Sequence, residues 1–171
     1  TNIGGFFEGM TYASLWNLPV IFIIENNLYA MGTPLYRAQP TRDLTAKAKA
    51  FNMASHRIDA LDVELVYDTV NKAVVHARSG QGPTLIEMIT YRFRGHSMSD
   101  PAKYRPAGEL EEMKEKDPLD TTKQRLIDQG VSQAQMDELE QRIAATVEDA
   151  VQFAEASPEL SYEEMQKMVF A

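Results

Sequence analysis

Two short segments hold most of the side chains able to grip a charged ligand. The first is Glu25-Asn26-Asn27-Leu28-Tyr29-Ala30-Met31-Gly32, and the second is Arg92-Phe93-Arg94-Gly95-His96-Ser97-Met98-Ser99-Asp100-Pro101. In the first, the Asn27 amide oxygen and the Tyr29 main-chain carbonyl stand two residues apart. Both are hard oxygen donors of the kind Mg²⁺ takes when phosphate oxygens and water complete its octahedron. The same asparagine pair equally suits a plain strand terminator, because asparagine is a favoured turn residue. The second segment places two arginines, a histidine, two serines and an aspartate together, with Lys103 and Arg105 close behind. Guanidinium and imidazole both donate to phosphate oxygens, so this group suits a pyrophosphate. A solvated loop, or one that orders only on ligand binding, would have the same composition. Ser97, His96 and Asp100 formally make a nucleophilic triad, but neighbours on one loop rarely converge and no nucleophile elbow accompanies them. His56 and His76 lack a partner at metal-ligand spacing and read as structural, as does the lone Trp16.

The elements that must position these segments are written in the hydrophobic pattern. Phe6, Phe7, Met10, Ala13 and Trp16 recur at helical spacing, predicting a helix from about 4 to 17 that Pro19 prevents from continuing. The run from Pro19 to Glu25, with Val20-Ile21-Phe22-Ile23-Ile24 inside it, predicts a strand covered on both faces, as in a parallel sheet. From Leu28 to Arg42 no period is visible and Gly32, Pro34 and Pro40 intervene, which predicts a long irregular loop. Asp43 caps a short helix reaching Phe51, and Ala54 to Asp59 forms a second strand. Asp62 opens a helix along Val63, Val66, Val70, Ala73, Val74 and Ala77 that stops at Gly80, and Pro83 to Tyr91 forms a third strand. This alternation is the rhythm of right-handed crossover units. It predicts an α/β fold with a partial, doubly wound parallel sheet whose ligands bind beyond the carboxyl ends of the strands, where both chemical segments lie.

After Arg105 the pattern turns all-helical: Gly108 to Lys116, Asp117-Pro118 to Gln129, and a longer helix opened by the capping-box pair Ser132 and Gln135 and stopped by Ser157-Pro158. We expect two regions, residues 1–106 and an acidic helical extension over 107–171. Of the net charge of −8, the first region carries 11 Lys+Arg against 9 Asp+Glu and the second 6 against 16. So acidic a tail would be repelled by a phosphate backbone, which argues against a nucleic-acid partner. The longest apolar run, Leu18 to Ile24, is too short to span a bilayer. Zero cysteines exclude thiol chemistry and suit a reducing compartment. The opening Thr1-Asn2-Ile3-Gly4-Gly5 has neither methionine nor leader and reads as a cut from a longer chain.

Taken in order, Asn2-Ile3-Gly4 to Trp16, Leu18 to Phe22, Glu25 to Thr33, Gly82 to Glu87 and Tyr91 to Pro101 resemble the alpha subunits of pyruvate dehydrogenase first components. These are thiamine diphosphate-dependent 2-oxo acid dehydrogenases. The resemblance runs over nearly the whole chain, and its two loop motifs lie about 65 residues apart, each after a strand. It implies the thiamine diphosphate-binding fold, with residues 1–106 as the later part of the cofactor and Mg²⁺ domain. Asn27 matches the side-chain metal ligand and Tyr29 the carbonyl ligand. Met31 matches the apolar residue that props the cofactor in its bent form. His96 matches the loop histidine that contacts the diphosphate side and lines the substrate channel, and is the expected catalytic residue. Ser97 matches a serine that regulatory kinases modify in mitochondrial relatives, where a dianion added beside the phosphate-binding histidine would disorder the loop by repulsion. The family's Gly-Asp-Gly, which carries a further metal ligand, would fall just before Thr1.

The implied reaction is oxidative decarboxylation of pyruvate, a small 2-oxo acid, with acetyl transfer to the lipoyl domain of an acyltransferase component. The implied assembly is α₂β₂, with the partner beta subunit carrying the glutamate that activates the cofactor, so the fragment alone is expected to be inactive. Pro34 and the short Pro101-Ala102-Lys103-Tyr104 stretch replace further phosphorylatable serines, favouring the bacterial cytoplasm over the mitochondrial matrix. Acetoin-cleaving or branched-chain dehydrogenases are the near alternatives. Outside this family stand a non-catalytic phosphate-binding α/β module and an interaction protein working through its acidic helices.

Overall fold

The computed structural model describes residues 1–169. Its sheet has three parallel strands in the order β1 (Ile21–Asn26), β5 (Thr84–Ile89), β4 (Ala54–Asp59). The register pairs Asn26 with Ile89 and Asp59 with Ile89, so all three strands end at one level. Residues Thr84 to Met88 of the middle strand are all buried. Side chains alternate across a strand, which gives β5 two working faces. Leu85 packs with Ile24 and with Met10 of α1 (Gly4–Leu15), joined by Leu44, Ala48 and Met53. Ile86 and Met88 pack with Ala73 of α4 (Val63–Arg78), joined by Ile21, Ile58, Val66 and Val70. Helices therefore cover both faces, the expected α/β arrangement.

Local signals end the helices where they end. In α1 the Asn17 N–H donates to Ser14 O at 3.2 Å and the Leu18 N–H to Ala13 O at 2.8 Å, with Asn17 left-handed at φ 52°. That is a Schellman closure with asparagine in glycine's usual place, so the helix stops at Leu15, two residues before its predicted end. Gly80 closes α4 and Gly130 closes α6 (Pro118–Asp128) by the same paired bonds. Asp62 caps α4 by accepting from the N–H groups of Glu64 and Leu65. Around α3 (Ala46–Lys49), Asp43 accepts from the Thr45 hydroxyl and N–H, and the hydroxyl bond first of all holds its carboxyl below the usual range.

Two expectations about the sheet-bearing region need correction. The apolar run of β1 is not covered on both faces: β1 is an edge strand and Ile23 is 49% exposed, while the fully covered strand is β5. Apolar composition reports what a strand can bury, not which neighbours it acquires. The segment from Leu28 is also not irregular throughout. It forms a tight antiparallel hairpin, β2 (Tyr29–Ala30) and β3 (Thr33–Pro34), followed by the single turn α2 (Leu35–Ala38). Two-residue strands are too short to leave an alternating pattern.

After the sheet come α5 (Glu109–Lys114), α6, α7 (Gln133–Ala156) and α8 (Tyr162–Val169). Ser132 and Gln135 make the predicted capping box at the start of α7. The additional helix α8 opens the same way, with Ser161 and Glu164 exchanging bonds. Contacts divide the chain into two compact units, Thr1–Thr122 and Lys123–Ala171. Among the described residues no helix is long and apolar enough to cross a membrane.

Candidate functional site

The carboxyl end of the sheet is organised by a buried carboxylate. Glu87, wholly buried on β5, accepts from Asn26 Nδ2 at 2.6 Å, from the Leu44 N–H at 2.9 Å and from Arg57 Nε at 3.2 Å. It thereby ties β1, the approach to α3 and β4 to the middle strand. Asn26, pinned by its amide nitrogen, accepts the Leu28 N–H on its amide oxygen, and Asn27 accepts the Tyr29 N–H on its own at 3.1 Å. Two successive asparagine turns thus bend the chain at once on leaving β1, with Leu28 left-handed at φ 69°.

The hairpin then directs the Tyr29 carbonyl. The Leu35 N–H donates to Leu28 O at 2.8 Å, so the next pair, Tyr29 with Pro34, is the non-hydrogen-bonded kind. Its carbonyl points away from the hairpin partner, and Pro34 has no N–H to offer. Met31 sits at the hairpin tip, 65% exposed and left-handed at φ 53°. Such a backbone costs a methionine about 1 kcal/mol or more and is characteristic of ligand-contact positions.

The second segment is folded around Asp100. Its Oδ2 accepts from the His96 main-chain N–H at 2.7 Å and the Tyr104 hydroxyl at 2.9 Å, and its Oδ1 from the Ala102 N–H at 2.8 Å. These bonds, the one from His96 foremost, hold the Asp100 carboxyl below the usual range. Gly95 is required here, since a Cβ on it would lie 2.4 Å from the Asp100 carbonyl oxygen. Arg105 fastens the same segment from within: Nη2 donates to Arg92 O at 2.6 Å and Arg94 O at 3.2 Å, and Nη1 to Phe93 O at 3.4 Å. Its guanidinium lies 4.9 Å from the Tyr91 ring centre, 5.9 Å from that of Tyr29 and 6.0 Å from that of Tyr104.

Glu109 completes the arrangement, taking the Tyr29 hydroxyl on Oε2 at 2.9 Å and the Tyr91 hydroxyl on Oε1 at 3.0 Å. Burial, and then the bond to Glu109, push the Tyr29 phenol up to about 12; the same two causes raise Tyr91. Tyr104 is raised by burial and then by its bond to Asp100.

The two segments meet. A shallow cavity open to solvent is lined by Asn27, Tyr29, Met31, Arg92, His96, Tyr104 and Arg105. All four residues singled out by the sequence, Asn27, Tyr29, Met31 and His96, are in its walls. Ser97 is not: its hydroxyl bonds that of Ser99 at 3.1 Å. Because Asp100 binds the main-chain N–H of His96, no serine–histidine–aspartate relay forms. Sequence reasoning missed Tyr91, Tyr104 and Glu109; the only signal was the recurrence of tyrosine in both loop motifs, with Tyr104 beside Arg105.

Chemically, the walls bring together two residues with hard oxygen donors, Asn27 and Tyr29, two arginines and a histidine. That set fits a diphosphate with a bound Mg²⁺, the ion taking its remaining ligands from the anion, water or another segment. Among the described residues no cluster of three or more His, Asp or Glu could hold an ion unaided.

Residues 1–163 match the family model of the dehydrogenase E1 component. The chain is 42% identical over 166 residues to the pyruvate dehydrogenase E1 component subunit alpha of Rhizobium meliloti (strain 1021), a match covering 96% of this chain and 48% of that protein. It is 44% identical over 165 residues to the subunit of the same name from Zymomonas mobilis, covering 96% and 47%. With the chloroplastic subunit alpha-3 of Arabidopsis thaliana it shares 41% over 171 residues, covering 99% and 40%. The chain spans about half the length of the curated relatives it matches.

Proposed function

Because the chain belongs to the dehydrogenase E1 component family, we propose that it holds the diphosphate end of thiamine diphosphate in the alpha subunit of a pyruvate dehydrogenase. In this reading Asn27 Oδ1 and the Tyr29 carbonyl would hold the Mg²⁺ that accompanies the diphosphate. Arg92 and His96 donate to diphosphate oxygens, and His96 also faces arriving substrate. Met31 offers an apolar surface at the hairpin tip that would support the coenzyme. When bound, the coenzyme supplies the electron sink for decarboxylating a 2-oxo acid. The chain contributes binding, orientation and exclusion of water around the head group, while a beta subunit completes the site in an α₂β₂ assembly and a lipoyl domain accepts the acetyl group. Residues 1–106 carry these contacts, and the acidic helices over 107–171 face the partner subunits. We place the assembly in the bacterial cytoplasm.

The observation that carries this reading is the convergence of Asn27, Tyr29, Met31 and His96, from two segments far apart in sequence, on one cavity. The pyruvate dehydrogenase names of the relatives favour pyruvate over acetoin or branched-chain substrates. The test is to express a whole alpha subunit containing these residues with a beta subunit and measure pyruvate-dependent dye reduction. Activity should require thiamine diphosphate and Mg²⁺ and collapse in Asn27→Ala. Activity indifferent to Asn27→Ala would refute the metal assignment. Diphosphate binding without turnover of any 2-oxo acid would make the protein a phosphate-binding module instead, and preference for a branched-chain acid would reassign the substrate.

A further inference from the structure

We propose that Glu109 is a positioning residue that locks the turn after β1 to the segment after β5, so that the two halves of the cavity keep their register. Three observations carry it. First, its two carboxylate oxygens are divided between the segments, Oε2 receiving Tyr29 and Oε1 receiving Tyr91. Neither phenol competes for an oxygen, and both bonds are of the charge-assisted kind. Second, each phenol belongs to, or adjoins, a cavity wall: Tyr29 is itself a wall residue, and Tyr91 is bonded through the chain to Arg92, another. Moving either tyrosine moves a proposed ligand-binding group. Third, Glu109 does not line the cavity, so it acts on a ligand only through what it holds.

Arg105 makes the lock selective. Its guanidinium reaches three consecutive carbonyls, of Arg92, Phe93 and Arg94, while resting near the rings of Tyr29, Tyr91 and Tyr104. The cation keeps the rings in place, but a ring face fixes no rotation about its own axis. The carboxylate supplies that missing constraint by fixing where the hydroxyls point. Without it, the Arg92–Asp100 segment remains tethered to Arg105 but is no longer registered against the hairpin. The expected consequence is weaker capture of the diphosphate with little change in turnover once the site is filled.

The test uses the alpha–beta assembly described above and has two arms. Only the cofactor arm rests on the proposed function. In the first arm, ligand-free protein is treated with trypsin and cleavage after Arg92, Arg94 and Lys103 is compared with cleavage after Lys72 and Arg78. Glu109→Ala should accelerate the loop cuts about tenfold, since cleavage follows the open population, and leave the α4 cuts unchanged. Tyr29→Phe, which deletes one oxygen and cannot plausibly unfold the chain, should give a smaller acceleration in the same direction. In the second arm, Glu109→Ala should raise the Kd for thiamine diphosphate with Mg²⁺ about tenfold, while kcat at saturating cofactor stays within about twofold. The Glu109→Ala, Tyr29→Phe double variant should bind no more weakly than Glu109→Ala alone. Glu109→Gln should fall between, because an amide serves one phenol as acceptor and the other only as a neutral donor. Unchanged loop cleavage in both Glu109→Ala and Tyr29→Phe, or fully additive effects in the double variant, overturns the lock. Faster loop cleavage in a protein whose wild type binds no thiamine diphosphate leaves the lock standing and overturns the functional reading.

Discussion

Replacing Glu87 with alanine should be among the most damaging single changes in the sheet-bearing unit, and its cost can be built from the contacts it makes. The side chain is wholly buried and serves three donors, two of them buried themselves: Asn26 is 6% exposed and Leu44 3% exposed. Each buried donor left unpaired costs about 1–3 kcal/mol. The third donor, Arg57, keeps 46% of its side chain exposed, so water takes over its hydration and its share is at most about 1 kcal/mol. Together these amount to roughly 2–7 kcal/mol, a large part of the roughly 5–15 kcal/mol that holds a typical domain folded. Glu87→Gln retains one acceptor oxygen and should lose about half as much. Urea unfolding followed by circular dichroism measures both, with the midpoint shifting and the slope constant. Glu112→Ala, which breaks the exposed pair with Lys116, is the internal control and should leave the midpoint in place. A Glu87→Ala midpoint as close to wild type as that of Glu112→Ala would refute the claim that this carboxylate organises the ends of the strands.

Two further outcomes are expected. Gly95→Ala forces a Cβ against the Asp100 carbonyl oxygen at 2.4 Å, so the turn must open; hydrogen exchange at the His96 and Ala102 amides should quicken, and unchanged exchange there would count against the turn. The Tyr29 phenol, raised from 10.0 to about 12, binds its proton more tightly when folded, so its contribution to stability is complete below pH 10 and disappears as the pH rises from there to about 12. Spectroscopic phenolate titration should show a late component that Tyr29→Phe removes, and a single wave near the ordinary tyrosine value for all seven tyrosines would contradict the partly buried bond to Glu109.

Much of this molecule is legible residue by residue, because helix caps and strand patterns are set by groups only a few positions apart. Asp62 and the Ser132–Gln135 pair announce α4 and α7 because a side-chain oxygen two or three residues upstream is all that a helix start requires. The strand Ala54–Asp59 lies where the alternating elements put it. Since parallel strands joined by crossover helices all end on one side of the sheet, Asn27 and His96 were bound to emerge near one another once that alternation was read.

Strand order and side-chain convergence are different in kind. Nothing local distinguishes the edge strand with Ile23 half exposed from the middle strand with Glu87 buried; indeed the more apolar of the two runs is the one at the edge. The hairpin that aims the Tyr29 carbonyl is too short to show a period. Tyr29 and Glu109 are 80 residues apart, and their meeting depends on β1 lying beside β5 in a register that brings the turn after one strand level with the segment after the other. The amino-acid sequence by itself determined which elements form and which end of the sheet carries the chemistry, because those follow from interactions within a turn or two of chain. Which carboxylate is buried, which strand is central and which tyrosines share an acid were decided only by the packed tertiary structure, where distance in space no longer follows distance along the backbone.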